Sequence, residues 1–107
     1  MLNSVKVSLR INSSNTAYDN EINDLIEAAK LDLRISGIAS TLIVDSDPLI
    51  RQAIITYVKA YFGYDNSDSE KLKESYSLLK KHLAIAYRDD DEDTKKLISV
   101  VDNNGEE

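Results

Sequence analysis

The sequence predicts an all-α protein: a small bundle of three main helices, over about residues 17–36, 48–62 and 69–87, with a short N-terminal helix over about 3–10 and an acidic C-terminal tail. Three observations predict it. Apolar residues recur three and four apart through three long stretches, the spacing that gathers them on one side of a helix. Each long stretch is bounded by start or stop chemistry, with Gly37 closing the first, Asp47 and Pro48 opening the second and Gly63 ending it. Helix breakers are otherwise scarce, at three glycines and one proline in 107 residues.

The first element is the least certain in type. Leu2, Val5 and Leu9 recur at helical spacing behind Asn3 or Ser4 as a cap, but Val5, Val7, Leu9 and Ile11 also alternate, so helix and strand both stand open. Residues 12–16, NSSNT, are cap and turn formers and read as a loop whose last member caps the next helix. In that helix Tyr18, Ile22, Leu25, Ile26, Ala29 and Leu33 form one apolar stripe. Ala28, Leu31 and Ile35 form a shallower second one, so it should touch neighbours on two sides. Residues 38–46, IASTLIVDS, are too short and β-branched for a helix and read as a connector with Leu42, Ile43 and Val44 turned inward.

Residues 47–66, DPLIRQAIITYVKAYFGYDN, read as the central helix. Asp47 supplies an N-cap acceptor, and Pro48 stands where no amide hydrogen is needed. Leu49, Ile50, Ala53, Ile54, Tyr57, Val58, Tyr61 and Phe62 fall at helical spacing. Ile55 and Ala60 widen the arc, which leaves only Gln52, Thr56 and Lys59 as a polar strip. In the last helix Leu72, Tyr76, Leu79, Leu83 and Ala86 make a narrow seam suited to one partner helix. Its other faces carry Lys71, Lys73, Glu74, Lys80, Lys81 and His82.

At this length the chain should be about one domain, with residues 1–88 as the helical unit and 89–107 as the tail. Residues 1–88 carry equal numbers of acidic and basic side chains, while 89–107 carry two lysines against eight acids, so the net charge of −6 belongs to the tail. A helical unit that balanced has no basic stripe to grip a phosphate backbone, and sequence-specific nucleic-acid binding is not expected. The absence of cysteine excludes disulfides and thiolate chemistry. No leader-like apolar run stands at the N-terminus and no segment approaches the roughly 20 apolar residues of a membrane span, so no membrane association is expected. Beyond the acidic run at 89–93, Leu97, Ile98, Val100 and Val101 form an apolar patch, as a tail that docks onto its own domain or a partner would.

No site chemistry assembles from the pattern. The run at 89–93 starts like a calcium loop, but Thr94 replaces the sixth-position glycine and Val100 the twelfth-position glutamate. A second register from Asp65 fails at Glu70 and Tyr76. His82 is the sole histidine, so neither a two-histidine metal site nor a serine-histidine-acid set can be built around it, and it reads as a surface residue. Tyr57, Tyr61 and Tyr64, spaced along and just past the central helix, read as core aromatics with hydroxyls at the surface or, for Tyr64, as a protein contact. Arg51 and Lys59 face solvent or an acidic neighbour. No cofactor, metal or enzymatic activity is expected.

The order of the pieces carries a resemblance. SVKVSLRIN at 4–12, DNEINDLIEAAKLDL at 19–33 and the central stretch from Asp47 are similar to the head-to-tail connector, or adaptor, proteins of long-tailed phages and prophages, over about residues 4–66. Leu9, Arg10, Ile11, Ala28, Ala29, Pro48, Ala53 and Tyr61 occupy that family's recurring places, and residues beyond 66 fall outside the match. The resemblance implies a structural virion protein at the head-tail interface, present in host cytoplasm before assembly. Such a protein binds the portal, forms a homo-oligomeric ring around the DNA exit channel and receives stopper or tail-completion components. The expected interface residues are Tyr64, Leu72, Tyr76, Leu79, Leu83, Leu97, Ile98, Val100 and Val101. A competing reading is a dimeric helical regulator, antitoxin-like or anti-factor, joined through the Leu72 to Ala86 seam.

Overall fold

Helix boundaries in the computed structural model, which describes residues 1–63 and 67–88, follow the capping chemistry closely. The helices are α1 (Leu2–Ser8), α2 (Asp19–Ile35), α3 (Pro48–Tyr61) and α4 (Ser69–Ala86), with a 3-10 turn at Ser40–Leu42 between α2 and α3. Among the described residues there is no strand, only an isolated antiparallel bridge between Ile38 and Arg88. The fold is therefore the all-α one expected, with each boundary within two residues of its expected place.

Burial settles the ambiguity at the N-terminus. A strand would have placed Val5 and Val7 on one face, yet Val5 is fully buried and Val7 is 71% exposed. The cap is Met1, with no side chain bonding to it, so neither Asn3 nor Ser4 does that work. The helix ends in a Schellman turn: the Ile11 amide reaches the Lys6 carbonyl at 2.9 Å and the Arg10 amide reaches Val7 at 3.0 Å. Arg10 takes φ +61°, a left-handed conformation that costs a side-chain-bearing residue about 1–2 kcal/mol. The same turn closes α2, where Ile38 bonds to Leu33 and Gly37 to Arg34, with Gly37 at φ +104°.

Lys6, although charged, is 3% exposed. Its ammonium lies 2.8 Å from Asp19 Oδ1 and donates to the carbonyls of Asn15 at 2.7 Å and Ser13 at 3.2 Å. The loop from 12 to 18 is thereby drawn onto α1, and α2 starts at Asp19. Thr16 does not cap it, because Asn15 Oδ1 takes the Ala17 amide and Thr16 contributes only its carbonyl, to Asp19. Asp19 then sits in the first turn of α2, where a carboxylate suits the helix dipole.

The connector corrects a second expectation. Ile43 is partly buried against the core, but Leu42 and Val44 point outward, and the residue driven fully inside is Ile38. It is the residue after the αL glycine of the turn, the position whose side chain packs back on the helix just ended.

Helix α3 is the centre of the structure, as its composition predicts. Asp47 Oδ1 accepts the amides of Leu49 at 2.8 Å and Ile50 at 3.1 Å, fixing the first turn. Ile50, Ala53, Ile54 and Val58 are wholly buried. Each of the isoleucines contributes about 1.5–3 kcal/mol through that burial. Thr56, read as part of a solvated strip, is buried instead, and its hydroxyl donates to the Gln52 carbonyl at 2.7 Å. α2 packs on α3 from one side and α4 from another, while α1 closes the corner. One contiguous core results, running from Val5 through Ile22, Ile26, Ala29, Leu33 and Ile38 to α3 and on to Tyr76 and Leu83.

Candidate functional site

The seam of α4 turns toward its own chain. Tyr76 is 6% and Leu83 1% exposed, both in the core cluster, whereas Leu72 and Leu79 are only half-buried. Tyr76 and Leu83, two of the expected interface residues, thus take part in the packing of the core. Tyr64, Leu97, Ile98, Val100 and Val101 lie outside the described residues.

What α4 does offer is its flank. Leu78, 60% exposed, and Leu49, 49% exposed, face water, and with Leu79, His82, Leu83 and Ala86 they line a groove of about 520 Å³ between the start of α3 and the second half of α4. His82 is its one titratable wall. Sequence reading missed the groove because Leu78 lies off the seam and Leu49 was assigned to the core. The signal that could have found it is the extra leucine beside the 4-3-4-3 pattern.

An aromatic face flanks the α3/α4 contact at the other end. Tyr57 lies 4.7 Å from Tyr61 and 5.1 Å from Tyr76, ring centre to ring centre, the latter edge-to-face. The Lys73 ammonium stands 5.0 Å over Tyr61 and that of Lys80 5.3 Å over Tyr76, distances at which a cation is attracted by the ring face. Phe62, at the end of α3, meets Tyr18 edge-to-face at 5.6 Å.

Two polar clasps lock the helices. Asp32 on α2 accepts from the Tyr76 hydroxyl at 2.5 Å and from Lys80 at 3.0 Å, both on α4. Burial, reinforced by donation to Asp32, pushes the Tyr76 hydroxyl far above the usual tyrosine range. Tyr87 donates to Asp47 Oδ2 at 2.7 Å, joining the end of α4 to the start of α3. That bond, with the amides of Ile50 and Leu49 and the charge of Arg51, holds the Asp47 carboxyl below its ordinary range, and the same bond raises Tyr87. Arg51 itself turns to the connector, donating to the Asp45 carbonyl at 2.8 Å. In both clasps a tyrosine hydroxyl donates and an aspartate oxygen accepts, joining α4 to α2 and to the start of α3.

No group of three or more acidic, histidine or cysteine side chains that could hold a metal occurs among the described residues. No helix there is long and apolar enough to cross a membrane. What the surface supplies is apolar grip and aromatic rims, the materials of protein contact.

Comparison with curated proteins and with solved structures gives no match. The profile of one protein family, described as phage connector protein, matches residues 1–90 and so takes in all four helices, both clasps and the groove. The chain belongs to the phage connector protein family, whose members are structural components of the virion.

Proposed function

We propose that the protein is a head-to-tail connector that binds the portal, assembles into a homo-oligomeric ring around the DNA exit channel and then receives stopper or tail-completion proteins. The observation that carries this reading is the family match across residues 1–90, which spans every helix rather than a fragment. Charge supports it. Residues 1–88 balance to zero, so a ring made of them carries no net positive charge with which to hold the phosphate backbone. Its working place is then the head-tail interface, reached from the host cytoplasm.

Half-buried Leu72 and Leu79 are the proposed interface residues within the described helices, with Tyr64 and the patch Leu97, Ile98, Val100 and Val101 beyond them. Dimerisation through the whole α4 seam has less to recommend it, because Tyr76 and Leu83 already pack inside the chain. The test is particle mass by light scattering over a wide concentration range, for the chain alone and mixed with cognate portal assemblies, using the full chain and a version ending at Arg88. A discrete ring, or stoichiometric capture by the portal, is the expected result. A monomer at every concentration that no portal binds would overturn the reading, and a tight dimer indifferent to the cut would replace it with the regulator.

A further inference from the structure

We infer that the groove between α3 and α4 seats residues 97–101 of the same chain before assembly. The inference goes beyond the connector reading and stands if that reading falls, since it concerns the isolated chain.

The groove asks for a cover. Leu49 and Leu78 are about half or more exposed on walls that, His82 apart, are entirely aliphatic, and its volume of about 520 Å³ lies within the about 300–1,000 Å³ of sites that enclose a ligand. A contiguous apolar surface of that kind marks a binding face. Past Arg88 the sequence offers one apolar segment, LISVV at 97–101, in which Leu97 and Ile98 stand four and three residues before Val101, the spacing that lets side chains share one helix face.

α4 ends beside the groove. Tyr87 donates to Asp47, two residues before the groove wall Leu49, and Ala86, the last residue of α4, is itself a wall. The eight intervening residues, 89–96, span at most about 26 Å extended. The walls from Leu78 to Ala86 cover about 12 Å of helix, so the linker can lay the segment along the full groove.

The cysteine-free sequence allows a clean test on the full chain. A nitroxide is attached to Ser99→Cys, a polar position within the segment, and amide signals are followed by NMR at increasing dilution. The expected result is broadening confined to the residues around Leu49, Leu78, His82 and Ala86, unchanged on dilution and abolished by Leu97→Asp with Val101→Asp. Leu78→Glu, at an exposed position, should abolish it from the groove side with the fold intact. Absence of broadening at these amides overturns the inference. Broadening that fades on dilution and also appears when spin-labelled unenriched chain is mixed with unlabelled isotope-enriched chain overturns it too, and gives the groove to a second copy's segment. Portal capture is scored separately, so loss of either result leaves the other readable.

Discussion

Helices α3 and α4 are similar in length and lie against each other, yet they are built to different ends. α3 is covered on nearly every side: even Thr56 is buried, and Gln52 is the exposed residue of its interior. α4 keeps only Tyr76 and Leu83 fully inside and leaves Leu78 and Ile85, the latter 82% exposed, in water. The difference separates apolar residues that make the fold from those left over for something else. In α3 hydrophobicity is consumed by packing except near its ends, at Leu49 and Tyr61; in α4 part of it remains available along the helix.

Substitution can break that contrast or sharpen it. The largest effect is expected for Ile54→Ala in α3, a loss of about 2–5 kcal/mol in denaturant unfolding because a buried side chain is replaced by a cavity. Should it cost no more than a surface change, α3 is not the centre described. Tyr76→Phe removes one charge-assisted bond of the α2/α4 clasp while Lys80 still serves Asp32, and about 1–2 kcal/mol should be lost in the same measurement.

Smaller and pH-dependent is the α3/α4 clasp. Asp47 is lowered from 3.8, so its stabilisation is complete above that value and is lost as pH falls through the folded value. Tyr87 is raised from 10.0, so its share is complete below pH 10 and is lost as pH rises further. Tyr87→Phe should therefore flatten part of the acid limb of the stability profile, Asp47 keeping its amide bonds and Arg51, and part of the alkaline limb, where Tyr57 and Tyr76 are raised as well. A profile with unchanged limbs would remove Tyr87 from this role. Smallest of all is Leu78→Ala in the version ending at Arg88, expected within about 0.5 kcal/mol of that version, since without residues 97–101 the side chain faces water. A cost in the range of Ile54→Ala would mean that the groove is closed in solution.

The four helices and their order were legible because periodicity and caps are local properties, and Asp47, Pro48, Gly37 and Gly63 mark their ends in the sequence itself. Lys6 was not. Its partners are carbonyls of a loop and a carboxylate 13 positions on, and nothing local distinguishes a lysine so held from one in solvent. The connector misled for a related reason, because LIV looks more apolar than IAS although the turn at Gly37 throws Ile38 inward. On α4 the seam was legible as spacing, but the groove beside it depends on where α3 begins, which only the assembled fold supplies.

Asp47 uses one oxygen to fasten the first turn of α3 and the other to hold Tyr87 where the chain leaves α4, while the Ala39 amide grips the Tyr87 carbonyl at 3.0 Å. Mechanically this is an anchor plate. A pull applied at Arg88 would therefore load Asp47 at the start of α3 and Ala39 in the connector as well as α4 itself.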